Sequence, residues 1–144
     1  MPYRTVRELM ANPGLEVLPP TATVKAAAER MARARVGAVL VVDESGVRGL
    51  FSERDAITRV MAQGRDAGAT ALETVMTERV LTVRPEDDVR KAQELMRDAG
   101  LRHLPVVADG SLIGLISVRD LLHISEIVES TEASRERLWL PGVD

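Results

Sequence analysis

The chain contains one unit written twice, at a spacing of 65 residues. Residues 101–120 read LRHLPVVADGSLIGLISVRD, and residues 36–55 carry the same frame as VGAVLVVDESGVRGLFSERD. A shift of 65 aligns residues 20–55 with the second copy without a gap. Thirteen of these 36 positions are then identical, where ordinary composition gives only about two or three. Self-similarity at a fixed period indicates copies of one supersecondary unit that bury their apolar faces against each other. With two copies, we expect a closed pseudo-symmetric pair.

The hydrophobic pattern predicts the order strand, helix, strand, strand, helix in both copies. In the first copy we expect strands at 15–18, 38–42 and 47–51, and helices at 22–34 and from Ser52 to about Gly64. In the second we expect strands at 80–83 and on both sides of the turn at 109–110, and helices at 86–99 and from 118 towards 129. A short helical segment precedes each copy, at 72–76 and after Thr5, where Thr5 and Glu8 have capping-box spacing.

The predicted fold class is α+β, with an α/β-like alternation, in which two pseudo-symmetric β-α-β-β-α motifs pack as one compact module. The first motif covers residues 1–64 with its N-terminal helix, and 65–72 form a linker that loses periodicity and contains Gly68. The second motif covers 73–130. Residues 131–144 form a polar tail in which Leu138, Trp139 and Leu140 are expected to dock on the body or on a partner subunit.

Composition excludes several classes of protein. The 144 residues are 45% apolar, enough for one ordinary core. The net charge of -3 comes from mixed charges, which argues against nucleic acid as a partner, and the chain has no cysteine. No apolar run reaches the roughly 18 residues needed to span a bilayer, and no charged-then-apolar signal segment opens the sequence. We therefore expect a cytoplasmic protein with no membrane partner.

The motif Ser-x-x-Asp occurs at the same strand-to-helix junction in both copies, as Ser52 to Asp55 and Ser117 to Asp120. One interpretation is a capping box, which stabilises a helix start by roughly 1 kcal/mol. The other is a nucleotide site, since a carboxylate suits the two hydroxyls of a ribose. In that case the free helix amides, the serine hydroxyl and the neighbouring arginine, Arg54 or Arg119, would receive phosphate. The residues alone leave both interpretations open.

The combination of motifs resembles a tandem pair of CBS domains, the cystathionine-beta-synthase motif, also called a Bateman module. The resemblance rests on Leu-Pro-Val-Val at 104–107 followed by Gly-Leu-Ile-Ser-Val-Arg-Asp at 114–120. The first copy carries Gly-Leu-Phe-Ser-Glu-Arg-Asp at 49–55. The chain is also similar to the small stand-alone bacterial proteins that consist only of such a pair.

The resemblance implies two ligand clefts between the motifs, each built from elements of both. In one cleft, Ser52, Arg54 and Asp55 would face apolar groups for an adenine and cations for phosphate, namely Val80, Leu101, Arg102 and His103. In the other, Ser117, Arg119 and Asp120 would face Leu15, Val36 and Ala38. The first copy has Gly37-Ala38 where the second has Arg102-His103. We therefore expect the cleft nearer Arg102 and His103 to prefer more phosphate.

The implied function is a regulatory module that senses an adenine nucleotide, namely AMP, ADP, ATP or an NAD-type dinucleotide, and requires no cofactor. The alternatives are a structural or interaction dimer with empty clefts, or a module for another adenosyl ligand such as S-adenosylmethionine. Enzyme activity is not expected, since His103 and His123 have no spacing typical of a metal or catalytic set. The alanine-rich helix 22–35 predicts a homodimer, which would pass ligand occupancy to an unidentified regulated protein.

Overall fold

A computed structural model describes residues 4–10 and 15–122. The predicted end of the first helix at 12–14, the last helix beyond 122, His123 and the tail 131–144 lie outside the described residues. The α+β class is confirmed. The elements are α1 (Val6–Leu9), β1 (Val17–Leu18), α2 (Val24–Ala34), β2 (Ala38–Asp43), β3 (Gly46–Ser52), α3 (Glu53–Asp55), α4 (Val89–Ala99), β4 (His103–Ala108) and β5 (Ser111–Ser117). Residues 118–122 are also helical.

The first copy forms a three-stranded sheet in the order β1-β2-β3. β1 runs parallel to β2, and β2 and β3 form an antiparallel hairpin. α2 begins because the Thr23 hydroxyl accepts a hydrogen bond from the Ala26 amide at 3.1 Å. It ends at Arg35, whose φ of 57° is left-handed and stops the helix. The buried face of α2, formed by Val24, Ala27 and Met31, packs against this sheet.

The second copy repeats the hairpin, but its predicted strand at 80–83 is wrong. β4 and β5 pair antiparallel, with an irregularity at Val106/Val107 that lies 65 residues after the one in β2. Only Val83 pairs with β4: its amide donates to the Pro105 carbonyl at 3.0 Å, and its carbonyl accepts from the Val107 amide at 2.9 Å. One bridge remains where β1 has two paired residues. Of the other residues in the predicted strand, Val80 lines the cavity described below and Leu81 packs against the core of the second copy.

The helix after β3 also differs from the prediction of a regular helix from Ser52 to Gly64. α3 has three residues and continues as a π-helical segment, Ala56–Met61. The Ala62 amide donates to the Ile57 carbonyl at 2.8 Å, and the Arg65 amide donates to the Val60 carbonyl at 3.0 Å. These bonds reach five residues back, which widens the turn and is frequent at functional sites.

The leading segment of each copy packs on the other copy. Val6 and Leu9 of α1 belong to the core of the second copy, with Met96 of α4. Conversely, Leu72 and Met76, in and after the 3-10 turn Leu72–Thr74, belong to the core of the first copy. A third apolar cluster joins the two hairpins and contains Ala38, Leu40, Leu50, Leu112 and Leu115. The two copies therefore share their cores and pack against each other, as expected for a closed pair.

The predicted capping box at the start of α1 is wrong. The Thr5 side chain makes no capping hydrogen bond. Instead, the amides of Val6 and Arg7 donate to the carbonyls of Asp87 and Pro85, both at 2.8 Å. Carbonyls of the second copy thus satisfy the free amides of this helix start. No helix within the described residues is long and apolar enough to cross a membrane.

Each leading segment covers a glycine of the other copy, Gly49 or Gly114, and substitution of these two equivalent glycines tests the exchange of leading segments between the copies. A Cβ added at Gly49 would lie 2.8 Å from the backbone oxygen of Thr77, and one added at Gly114 would lie 2.6 Å from the terminal methyl of Met10. Because a methionine methyl can rotate away and a carbonyl held in a bridge cannot, we expect Gly49→Ala to lower the free energy of unfolding by about 2 kcal/mol. Gly114→Ala should cost less than half as much.

Urea unfolding measures both changes, with Gly68→Ala as the control because its added Cβ meets only Asp66, at 3.5 Å. Equal losses for Gly49→Ala and Gly68→Ala would contradict the close packing of residues 76–77 on β3.

Candidate functional site

A cavity of about 230 Å³ opens where the two copies meet. We call it the first cleft. Three chain segments border it: the end of β3 with α3, the crossover at 77–80, and residues 100–103 at the start of β4. Seven of the residues predicted from the sequence line it, namely Ser52, Arg54, Asp55, Val80, Leu101, Arg102 and His103. The structure therefore brings together the whole set expected for this cleft.

The Ser52 and Asp55 side chains form a complete capping box at the wall of the first cleft. The Ser52 amide donates to Asp55 Oδ2 at 3.0 Å, and the Asp55 amide donates to Ser52 Oγ at 3.2 Å. Ser117 and Asp120 repeat this arrangement at 2.8 and 3.4 Å. The capping interpretation is therefore correct at both junctions. In the first copy the Asp55 carboxylate also lines the first cleft, so capping and ligand contact do not exclude each other.

Asp55 has further partners that the sequence analysis did not include. Its side chain accepts a hydrogen bond from the Thr77 hydroxyl at 3.1 Å and forms an ion pair with Arg59, whose Nε lies 3.6 Å from Oδ1. Arg59 Nη1 in turn donates to the Met76 carbonyl at 2.9 Å. Asp55 is only 6% exposed. A buried carboxylate of this kind connects the helix start, the π-helical segment and the crossover in one polar network.

Sequence reasoning missed five residues of the first cleft: Leu50, Arg59, Thr77, Arg79 and Gly100. Arg59 follows Asp55 by four residues on a helix, a spacing typical of an ion pair, and this signal would have found it. Thr77 and Arg79 gave no local signal. They reach the cleft because Thr77 pairs with Leu50, through two backbone hydrogen bonds of 2.9 and 2.8 Å.

His103 lies between the helix starts of the two copies. It lines the first cleft, and its Nε2 is 3.7 Å from the position that a Cβ of Gly37 would occupy. Burial lowers the pKa of His103 below 6.5; the negative charges of Asp120 and Glu53 oppose this shift, and Arg102 and Arg119 add to it. The imidazole is therefore neutral near pH 7, and it offers one donor and one acceptor rather than a charge.

The residues predicted for the other cleft are distributed over several packing environments within the described chain. Leu15 packs against the cluster that joins the hairpins, and Ala38, 1% exposed, is buried in it. Val36 packs against the core of the first copy. Ser117 and Asp120 form the second capping box, and Arg119 is exposed beside them. A ligand role for these residues stays a prediction.

Comparison with known proteins identifies the family to which this chain is similar. The CBS domain profile matches the chain twice, at residues 6–62 and 72–126. The mitochondrial CBS domain-containing protein CBSX3 of Arabidopsis thaliana is 33% identical over 125 residues, which are 83% of this chain and 61% of that protein. The chain spans less than two thirds of the length of the first curated relatives that it matches.

Solved structures agree with the profile match. A protein with CBS domains from Burkholderia ambifaria is 35% identical, with a TM-score of 0.78 over 89% of this chain and 96% of that one. The CBS domain protein PAE2072 from Pyrobaculum aerophilum, complexed with AMP, is 34% identical, with a TM-score of 0.73 over 81% and 89%. The chain belongs to the CBS domain family and carries two CBS motifs in tandem.

The lowered pKa of His103 predicts a pH dependence of stability. Below pH 6.5 the unfolded chain binds a proton at this imidazole, whereas the folded chain binds it only at lower pH. The free energy of unfolding should therefore keep its full value with respect to this group above pH 6.5. It should fall as the pH decreases below 6.5, because the unfolded chain then binds the proton first. Urea unfolding on both sides of pH 6.5 measures the slope, and His103→Gln should flatten it. His123 is present in both proteins, so the difference reports His103. An unchanged slope in His103→Gln would contradict the assignment.

Proposed function

We propose that the chain is a regulatory binding module that takes an adenine nucleotide in the first cleft. The observation that carries the proposal is the composition of that one cavity. It combines a carboxylate for ribose hydroxyls (Asp55), apolar walls for a base (Val80 and Leu101), and cations for phosphate. AMP, ADP, ATP and NAD-type dinucleotides share these three parts. Ligand pockets typically combine apolar walls with a few fixed polar groups in this way.

The Asp55 carboxylate keeps acceptor capacity for a ligand despite its internal partners. An ionised carboxylate offers about four lone-pair positions, and the protein donors to it are the Ser52 amide, the Ser52 and Thr77 hydroxyls and the Arg59 guanidinium. The hydroxyls of Ser52 and Thr77 can rotate towards other acceptors. A ribose hydroxyl can therefore take a position that one of them leaves, while the backbone amide of Ser52 remains bonded.

The AMP complex of the Pyrobaculum aerophilum protein supports an adenine nucleotide for this chain. At 34% identity over most of both chains, it is a relative whose ligand has the chemistry that the first cleft requires. Another adenosyl ligand, such as S-adenosylmethionine, is the second candidate, because it shares the ribose and the adenine. The abundance of arginines at the cleft favours a phosphorylated ligand over this cationic one.

In this proposal the chain is a module that reports ligand occupancy to a regulated protein, not an enzyme. The location of the chain in the cytoplasm and the existence of a regulated protein stay predictions. Calorimetry with adenosine, AMP, ADP, ATP, NAD and S-adenosylmethionine tests the ligand class. Binding of the adenosine compounds supports the proposal. Absence of binding by all of them would favour a structural or interaction dimer with empty clefts.

Substitution of Asp55 separates a ribose contact from a helix cap. We expect Asp55→Asn to remain folded and to lose about 1 kcal/mol of stability, since an amide still accepts from Ser52 but pairs poorly with Arg59. Its affinity for AMP should fall about tenfold or more, because an amide offers one oxygen to two ribose hydroxyls. Asp120→Asn alters the same cap in the other copy and is the matched control. Affinity at the first cleft should survive that change.

2′-Deoxy-AMP completes this test as a double-mutant cycle. Removal of the 2′-hydroxyl should weaken binding to the unmutated protein and have little further effect on Asp55→Asn. If Asp55→Asn binds AMP normally while melting at its usual temperature, Asp55 is a helix cap only.

We also propose that the module is a homodimer. The alanine-rich α2 exposes Ala28, Ala32 and Ala34, in line with the surface expected from the sequence. Larger apolar side chains, however, are exposed on the helices that follow the capping boxes: Ile57 at 56% and Leu122 at 50%, at equivalent positions of the two copies, and Met61 at 69%. We expect a contact surface that includes these helices, because exposed apolar patches mark protein–protein interaction sites.

Light scattering at micromolar concentration checks the homodimer. The unmutated protein should have the mass of two chains, and Ile57→Glu should shift it towards one, because a buried charge would have no partner. Val17→Glu changes another partly exposed apolar residue, 38% exposed on β1, and should leave the mass unchanged. A monomeric unmutated protein would contradict the homodimer.

A further inference from the structure

We propose that Arg59 is a positioning residue of the first cleft, which holds the Asp55 carboxylate in the orientation that receives ribose hydroxyls. The inference rests on the proposed function and deepens it, because it identifies what fixes the carboxylate for a ribose. Arg59 acts through Asp55 in this role and needs no contact of its own with the ligand.

The two oxygens of the Asp55 carboxylate have different partners. Oδ2 serves the helix cap, since it accepts from the Ser52 amide at 3.0 Å and from the Ser52 hydroxyl at 3.2 Å. Oδ1 takes no part in the cap. Within the described residues its partners are the Thr77 hydroxyl at 3.1 Å and Arg59 Nε at 3.6 Å. Oδ1 is therefore the oxygen that a ligand can use without breaking the cap.

The ion pair with Arg59 orients Oδ1 without occupying it. The terminal torsion of an aspartate is broad, so a carboxylate held at one oxygen only can turn. A separation of 3.6 Å between Nε and Oδ1 is longer than a hydrogen bond. The guanidinium thus attracts Oδ1 to one side while the lone pairs of that oxygen stay free for a ribose hydroxyl.

The guanidinium of Arg59 is itself held by the backbone of the crossover. Its Nη1 donates to the Met76 carbonyl at 2.9 Å and lies 3.5 Å from the Val75 carbonyl. Val75 and Met76 are 3% and 4% exposed and belong to the core of the first copy. These carbonyls are therefore fixed points. A binding group is most precise when second-layer hydrogen bonds of this kind lock its orientation.

The ordinary explanation of this contact is a surface ion pair at i,i+4 spacing, which contributes little to stability. Two observations go beyond that explanation. The Asp55 side chain is only 9% exposed, although the Arg59 side chain is 49% exposed. In addition, Arg59 bonds to backbone that lies 16 and 17 residues further along the chain. A solvated pair has neither a buried carboxylate nor an arginine that is anchored independently of it.

The second copy shows that the cap does not require such an arginine. Ser117 and Asp120 form the same capping box, and the hydrogen bonds of Asp120 within the described residues go to Ser117. The residue 65 positions after Arg59 is Ile124, which carries no charge. Both junctions thus have the cap, whereas the cation is specific to the first copy. Orientation of the carboxylate for a ligand remains as the role of Arg59.

Discrimination between AMP and 2′-deoxy-AMP measures this positioning. Calorimetry on the full chain gives the ratio of the two affinities, which we expect to be about tenfold or more in the unmutated protein. Arg59→Met should reduce the ratio to about threefold or less, because the carboxylate can then turn away from the ribose. Arg59→Lys keeps the charge but lacks the planar fork that reaches the carboxylate and a carbonyl together. It should reduce the ratio to the same range.

Arg79→Met is the matched control. It removes an arginine that lines the same cleft, but Arg79 makes no hydrogen bond or ion pair with Asp55 within the described residues. Any change of AMP affinity in this variant should be shared by 2′-deoxy-AMP, so the ratio should equal that of the unmutated protein. Thermal melts verify that each variant folds. If Arg59→Met does not fold, Arg59→Lys decides the test.

Three results would overturn the inference. The first is an unchanged ratio in a folded Arg59 variant. The second is an equal fall of the ratio in Arg79→Met, which would assign the effect to the charge of the cleft. The third is equal affinity of the unmutated protein for AMP and 2′-deoxy-AMP. In all three cases AMP still binds and the proposed function stands. If neither compound binds, the inference and the proposed function fail together.

Discussion

The exchange of leading segments between the two CBS motifs is the constraint on which the rest of this structure depends. Met76 covers Gly49 of the first motif, and Met10 covers Gly114 of the second. Both cores are thus completed by residues that the chain contributes from outside the β-α-β-β-α unit. A single motif would leave this apolar surface exposed, at a cost of about 25 cal/mol per Å². Stability and the relative position of the motifs therefore have one cause.

The first cleft is a consequence of that exchange. When residues 75–77 pack on the first motif, Thr77 pairs with Leu50 and its hydroxyl reaches Asp55. The next residues, including Arg79 and Val80, then have to form the wall opposite the start of α3. The polar network around Asp55 holds the crossover at the same carboxylate that we assign to ribose. A ligand at Asp55 would therefore act directly on the connection between the motifs, which is a physical route from occupancy to a change that a partner can detect.

The 65-residue repeat predicts the fold because period and hydrophobic pattern are local properties. It identifies both hairpins, α2, α4 and both Ser-x-x-Asp junctions. The pattern fails where tertiary contacts decide the local structure. Residues 80–83 have strand-forming valines, yet Val80 lines the cleft, Leu81 packs against the core of the second copy, and only Val83 pairs with β4. Thr5 has a capping-box partner in sequence, yet carbonyls of Pro85 and Asp87 satisfy the helix start first. Arg79 and Thr77 enter the site through pairing with a strand more than 20 residues away, which no spacing within one copy encodes.

One difference between the two copies lies where they contact each other. The first has Gly37-Ala38 where the second has Arg102-His103. A side chain at Gly37 would lie 2.8 Å from Glu53 Oε1 and 3.7 Å from His103 Nε2. An added Cβ would therefore move the flexible end of the exposed Glu53 side chain and would reach van der Waals contact with the His103 ring. The absence of a side chain at Gly37 leaves this space beside the ring open. Pseudo-symmetry is broken at this position, and the consequence is that an imidazole and a guanidinium line the first cleft.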